Sequence, residues 1–324
     1  MIWLELALGL SLLLVGGEFL VRGSVGVATR LGVSPLLIGL TLVGFGTSMP
    51  ELVASLEAAL IGAPGIAIGN IVGSNIANIL LILGASAVIL PIATSRKSFG
   101  RDGSVLIAVS LLLLAVTLMG ELGRIAGLAL IALLAAYTLF TYRSERRNHA
   151  SDNSPHAKTT FADGRPMTLK FGLLLAAAGI GGVVWGASLL VAASIDIARA
   201  AGLSETVIGL TLVAVGTSLP ELATSVTAAI RRQGDVAFGN IVGSNIFNIL
   251  GIGGVTAAVT PIEIPTQIGT LDIWAMLGAA VLLVLFAVTN WRVSRTEGAI
   301  FLALYAFYLA LQFHPALRAA VGLA

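Results

Sequence analysis

The feature that most limits what this chain can fold into is a recurrence of apolar runs about twenty residues long. Each can cross a bilayer core of roughly 30 Å as a helix. Only 10% of the residues are charged, 57% are hydrophobic, and the mean hydropathy is +1.00. A soluble globular fold is excluded. The expectation is an all-α polytopic membrane protein with ten transmembrane helices, at roughly 2–23, 33–60, 66–91, 103–120, 125–142, 170–195, 205–230, 237–262, 272–290 and 297–315. The one long polar stretch runs from Arg143 to Lys170 and has the composition of a solvated linker. It separates a first five-helix unit (1–142) from a second (170–324), with 143–169 as the loop between them.

Charge placement sets an expected orientation. With ten spans, fifteen Lys and Arg residues fall in the odd-numbered loops, and only Arg124, Arg199 and Arg318 fall on the other side. The positive-inside rule then puts both termini outside and the linker loop in the cytoplasm, as in a bacterial or archaeal inner (plasma) membrane. This bias accounts for the pI of about 9.2 without a nucleic-acid partner. The first apolar run carries Glu5 and Glu18 and no basic segment precedes it, so it reads as a retained span rather than a cleaved signal. The absence of cysteine excludes disulfides, thiolate catalysis and cysteine metal sites.

The two units repeat one another. Residues 32–92 align with 202–262 at a constant offset of 170 without gaps, with 34 identities in 61 positions. Matches at Gly, Thr, Ser, Pro, Glu and Asn dominate, and these are not cheap in apolar helices. Because each unit has an odd number of spans, the second copy enters the membrane from the opposite side. Inverted repeats of this kind are a transporter architecture with a site near the midplane.

The repeat carries two motifs. "GTSMPE" contains Thr47, Ser48 and Glu51; "GTSLPE" contains Thr217, Ser218 and Glu221. A carboxylate in a span costs about 2.5–3.5 kcal/mol on insertion scales, and this chain places one twice. Pro50 lacks an N–H, so the Gly46 carbonyl is expected to lose its helical partner and become available to a cation. Thr and Glu, four apart, share a helix face. "GNIVGSNIANI" and "GNIVGSNIFNI" follow, with Ser74 and Asn78 four apart and Ser244 and Asn248 likewise. Gly69 and Gly73, with Gly239 and Gly243, favour close helix approach. All the donors are oxygens, with no His or Cys among them, which suits a hard cation such as Ca²⁺ or Na⁺. Glu57 lies off this face and reads as an access or helix-end residue. Glu18 reads as interfacial, and His149, His156 and His314 lie in the polar loop or at the C-terminal edge, away from the site. No nucleophile–base pair points to an enzyme.

These paired motifs resemble the two α-repeats of the calcium/cation antiporter superfamily, and most closely those of the sodium/calcium exchangers and their bacterial homologues. The resemblance implies that Glu51 and Glu221 ligate Ca²⁺ and also Na⁺. Thr47 and Thr217 would contribute backbone carbonyls, with Ser48 and Ser218 beside them, and Ser74, Ser244, Asn78 and Asn248 would complete the shell. Many such exchangers carry Asp where this chain has Asn248. The function implied is a secondary active antiporter exchanging Ca²⁺ for Na⁺ by alternating access, the first and sixth spans moving against the rest. It needs no cofactor or obligate protein partner. Proton-coupled cation exchange is the alternative, and a passive cation channel a more distant one.

Overall fold

The computed structural model describes residues 2–31, 45–93, 96–149, 167–230 and 234–314. Its helices are α1 (Ile2–Arg30), α2 (Met49–Leu60), α3 (Pro64–Ile89), α4 (Arg96–Leu118), α5 (Arg124–His149), α6 (Leu169–Ala201), α7 (Glu205–Thr217), α8 (Leu219–Ile230), α9 (234–259), α10 (268–290) and α11 (Arg295–Phe313). Four two-residue strands join them: β1 (Ile92–Ala93), β2 (Glu121–Leu122), β3 (Ile262–Glu263) and β4 (Arg292–Val293).

Among the described residues, eight helices are long and apolar enough to cross a membrane. The α7 and α8 segments, bent by 48°, pass the same test as a pair. Of the span expected at 33–60, the turn at 45–48 and α2 are described, and the remainder lies outside the described residues, as does 150–166 of the linker loop.

The strands decide what the bent pair does. β2 pairs antiparallel with β3, Leu122 opposite Ile262, and β1 with β4, Ile92 opposite Val293. Paired strands at helix ends lie on one face of a membrane, so an even number of crossings must separate them. Between β2 and β3 lie α5, α6, the α7–α8 pair and α9. That number is even only when the bent pair crosses. A crossing by the bent pair, as a broken span, is the arrangement that agrees with this pairing.

Local chemistry places the helix ends. The Thr168 and Ser204 side chains accept from the Phe171 and Val207 N–H groups at 3.3 and 3.2 Å, capping α6 and α7. Ser294 and Glu297 form a capping box at the start of α11. Gly202, at φ 64°, closes α6 in the left-handed conformation that glycine adopts without penalty.

At the centre, every residue from Gly65 to Leu80 of α3 is buried. Cβ atoms on Gly69 and Gly73 would approach the Thr206 carbonyl oxygen to 2.9 Å and the Leu210 carbonyl oxygen to 2.5 Å, so glycine is what lets α3 lie against α7. No described residue lies within 4 Å of a Cβ on Gly239 or Gly243, and positions 36 and 40, the counterparts of Thr206 and Leu210, are outside the described residues. Outside this centre, α1 and α6 run antiparallel along a glycine seam. A Cβ on Gly9, Gly16 or Gly23 would come within 2.8, 2.8 and 2.4 Å of backbone at Leu190, Val183 and Ala176.

Candidate cation site

Each Glu motif begins at a backbone break. Ser48 has φ −90° and ψ 10°, and Ser218 has φ −83° and ψ 8°. In the second motif this bridge-region geometry ends α7 just before the proline of α8, and in the first it closes the turn at 45–48 just before Pro50. One expectation is corrected here. The Gly46 carbonyl is not left without a partner, because the turn tightens and the Met49 N–H donates to it at 3.3 Å.

The two breaks face each other across the halves. The Ser48 hydroxyl donates to Glu221 Oε1 at 2.7 Å, and the Ser218 hydroxyl donates to Glu51 Oε1 at 2.9 Å. The glutamates are 1% and 0% exposed. Each keeps its second oxygen, Oε2, buried without a hydrogen-bond partner. Thr47 Oγ1 and Ser244 Oγ are also buried without hydrogen-bond partners. So are both side-chain atoms of Asn78 and both of Asn248.

Those asparagines sit at matching irregularities. The central helices widen into π-helical turns at Ala77–Leu83 in α3 and Asn248–Gly253 in α9. Such turns inside α-helices recur at functional sites, because the extra residue redirects a side chain. Leaving a buried polar atom unpaired costs about 1–3 kcal/mol, and more for a charged one. The unpaired oxygens include two carboxylates that repel each other, and a cation would relieve both costs at once. Two carboxylates with neutral oxygens around them are a donor set that suits a hard cation.

Ser48, Glu51, Ser74, Thr217, Ser218 and Glu221 are joined by hydrogen bonds, directly or through Asn70. Ser244, Asn78 and Asn248 are buried without such links, and Thr47, half-buried as a residue, has its Oγ1 buried without one. Asn70 was not anticipated as part of this set. Its Nδ2 donates to Ser55 Oγ at 2.8 Å and to the Glu51 carbonyl at 3.1 Å, pinning α2 to α3. Asn240 donates to Ser225 Oγ at 3.0 Å in the second half. The signal was present: Asn70 lies four residues before Ser74, on the same helix face, and recurs at the offset of 170. Phe45 and Phe247 were missed too. Their rings stack at 4.5 Å beside Asn248, while the repeat has Val215 and Ala77 at the corresponding places.

The residues set aside lie apart from this set, though Glu18, read as interfacial, is within the apolar stretch Ile2–Val27 of α1 rather than at its end. Glu57 is half-buried near the end of α2, Glu18 is exposed and paired with Arg22, and His314 is exposed at the end of α11. His156 lies outside the described residues, and His149 ends α5.

Residues 1–143 and 171–314 match the family model described as sodium/calcium exchanger protein. The chain is 34% identical to the sodium/calcium exchanger MaX1 of Methanosarcina acetivorans, covering 96% of this chain and 98% of that one. It is 36% identical to the putative antiporter CaxA of Alkalimonas amylolytica over 94% and 96%. It is 34% identical to the inner membrane protein YrbG of Escherichia coli over 90% of each. Among solved structures, the sodium-calcium exchanger NCX_Mj superposes with a TM-score of 0.65 at 34% identity, covering 96% of this chain and 99% of the other. This chain is an integral membrane protein and belongs to the sodium/calcium exchanger family.

Proposed function

We propose that this protein exchanges Ca²⁺ for Na⁺ by alternating access, at a site near the membrane midplane built from the two Glu motifs. The observation that carries the reading is the reciprocal pair of bonds, Ser48 to Glu221 and Ser218 to Glu51. They bring two carboxylates from opposite halves into one water-poor site, with unpaired oxygens around them. Glu51 and Glu221 neutralise the divalent ion or its sodium replacements. Thr47, Ser48, Thr217, Ser218, Ser74, Ser244, Asn78 and Asn248 supply neutral oxygen.

The two halves are read as inverted repeats of five spans. In support, contacts recur at the offset of 170: the Ser–Glu pairs, Asn70 and Asn240 to their serines, and Asn75 and Asn245 to the Ile71 and Ile241 carbonyls at 2.7 Å; the two strand pairs correspond with a shift of one residue. Exchanging the conformations of two inverted halves turns an outward-open protein into an inward-open one. The glycine seam between α1 and α6 is the element that slides in that exchange.

Radioactive Ca²⁺ uptake into proteoliposomes, with outward Na⁺, K⁺ or H⁺ gradients imposed one at a time, tests the reading. Uptake is expected with Na⁺ inside and none with a pH gradient alone. A proton-driven result would transfer the site to proton-coupled exchange, and uptake without any ion on the opposite side would make it a channel.

A further inference from the structure

One contact in the centre of the molecule is not matched across the repeat. Asn70 is fully buried, and both ends of its carboxamide are in use. Nδ2 donates to Ser55 Oγ and to the Glu51 carbonyl, which accepts only, so the amide orientation is fixed. Oδ1 then faces the Ser74 hydroxyl at 3.4 Å and, across the halves, the Thr217 hydroxyl at 3.2 Å. The Thr217 hydroxyl has one proton and a second acceptor within reach, the Val213 carbonyl at 2.9 Å in its own helix. It can pass from one to the other without leaving a buried donor unpaired.

The corresponding residues in the other half are Asn240 and Thr47. Asn240 holds Ser225, as Asn70 holds Ser55, but it is only half-buried. Thr47 Oγ1 is buried and has no hydrogen-bond partner. A hydrogen bond thus links Asn70 to Thr217, and none links their counterparts, Asn240 and Thr47.

We propose that Asn70 and Asn240 are positioning residues that take turns: Asn70 clasps Thr217 in the state described, and Asn240 clasps Thr47 in the state of opposite access. Each asparagine reaches from the helix carrying Ser74 or Ser244 to the broken span of the other half, next to the glutamate of its own half. Release of one clasp and closure of the other ties the two broken spans to a single two-state movement. The proposal rests on the alternating-access reading.

The test exploits side-specific affinity. Stabilising one access state raises the apparent Ca²⁺ affinity on the face where that state opens and lowers it on the other. Loss of a hydrogen bond of ordinary strength therefore changes the ratio of external to internal apparent affinity by about two- to tenfold. Asn70→Ala and Asn240→Ala are expected to move that ratio in opposite directions in oriented proteoliposomes, with the double variant near the parent value. Asn70→Ser and Asn240→Ser serve if the alanine variants fail to fold. A merely structural role would weaken both faces together, and equal losses with an unchanged ratio would overturn the proposal.

A second measurement needs no transport. In this cysteine-free chain, Asn70→Cys with Thr217→Cys and Asn240→Cys with Thr47→Cys provide two pairs that Hg²⁺ can bridge. Both pairs are expected to bridge, with an imposed Na⁺ or Ca²⁺ condition favouring one over the other. Bridging of the first pair alone under every condition would overturn the exchange of partners. If the parent protein carries no Ca²⁺ against Na⁺, the functional reading fails while the bridging result still decides the clasp.

Discussion

Single side chains decide ion chemistry here, because two carboxylates are all the formal charge the site contains. Glu51→Gln or Glu221→Gln leaves one charge against a dehydrated divalent ion, with the remaining carboxylate still buried. Each is expected to reduce Ca²⁺ exchange at least about a hundredfold while the protein still folds, since burial without charge is cheaper than burial with it. Flux assays beside thermal unfolding of the purified variants check both halves of that statement; near-parental flux in either variant would remove the carboxylate from the site. Asn248→Asp tests the opposite change. A third carboxylate strengthens attraction for a divalent ion more than for a monovalent one, so apparent Ca²⁺ affinity is expected to rise about threefold or more. An unchanged affinity would place Asn248 outside the shell. The types and burial of these residues were legible in the sequence, since Glu, Ser, Thr and Asn do not recur in apolar spans by composition alone. Their pairing was not. That Ser48 serves Glu221 rather than Glu51 depends on how two distant segments meet, and local spacing is silent about that.

Elements carry the moving and the holding parts. The α1–α6 seam is lined by glycine, so backbone meets backbone and added bulk has nowhere to go. At Gly179 a Cβ would stand 2.3 Å from the Leu20 nitrogen. Gly179→Val is expected to slow exchange by an order of magnitude or more while Ca²⁺ binding to the detergent-solubilised protein changes little. Equal loss of binding and flux would mean that the seam supports the site rather than moving past it. A holding element lies at the far ends of α10 and α11. Buried Asp272 accepts from Tyr308 at 3.0 Å and from Gln312 at 2.6 Å; Gln312 accepts from Gln267, which in turn accepts from Ser204, the cap of the broken span. Asp272→Ala strands two buried donors at about 1–3 kcal/mol each. The expected outcome is a melting temperature lower by several degrees, with flux per folded molecule near the parent value. Span positions were largely readable from hydropathy. The break at the second Glu motif was legible from Pro220, whereas its angle of 48° and the π-helical turns carry no comparable local signal.

For the whole molecule, topology and charge movement are the measurable quantities. Cysteines introduced at Ser151 and at Ile61, which is 52% exposed in the turn after α2, are expected to react with an impermeant reagent from opposite sides, Ser151 from the cytoplasm, and labelling of both from outside would overturn the orientation. With two carboxylates, one Ca²⁺ or two Na⁺ neutralise the site, and a third Na⁺ carries one net charge per cycle. Each such charge couples to the membrane potential by about 2.3 kcal/mol per 100 mV. In voltage-clamped proteoliposomes containing Na⁺, an inside-positive potential is expected to speed Ca²⁺ entry; indifference to voltage would fix the exchange at two for one. The stacked Phe45–Phe247 pair bears on how such a machine rests when no ion drives it. A chain with perfect twofold repetition would spend equal time facing each compartment, like a balanced see-saw. If the proposed exchange of access parts this stack, a contact that Val215 and Ala77 cannot reproduce would put a weight on one end, and at about 0.5–1.5 kcal/mol it would favour one compartment two- to tenfold. Divergence between once-identical halves then becomes a means of setting which side of the membrane an idle exchanger watches.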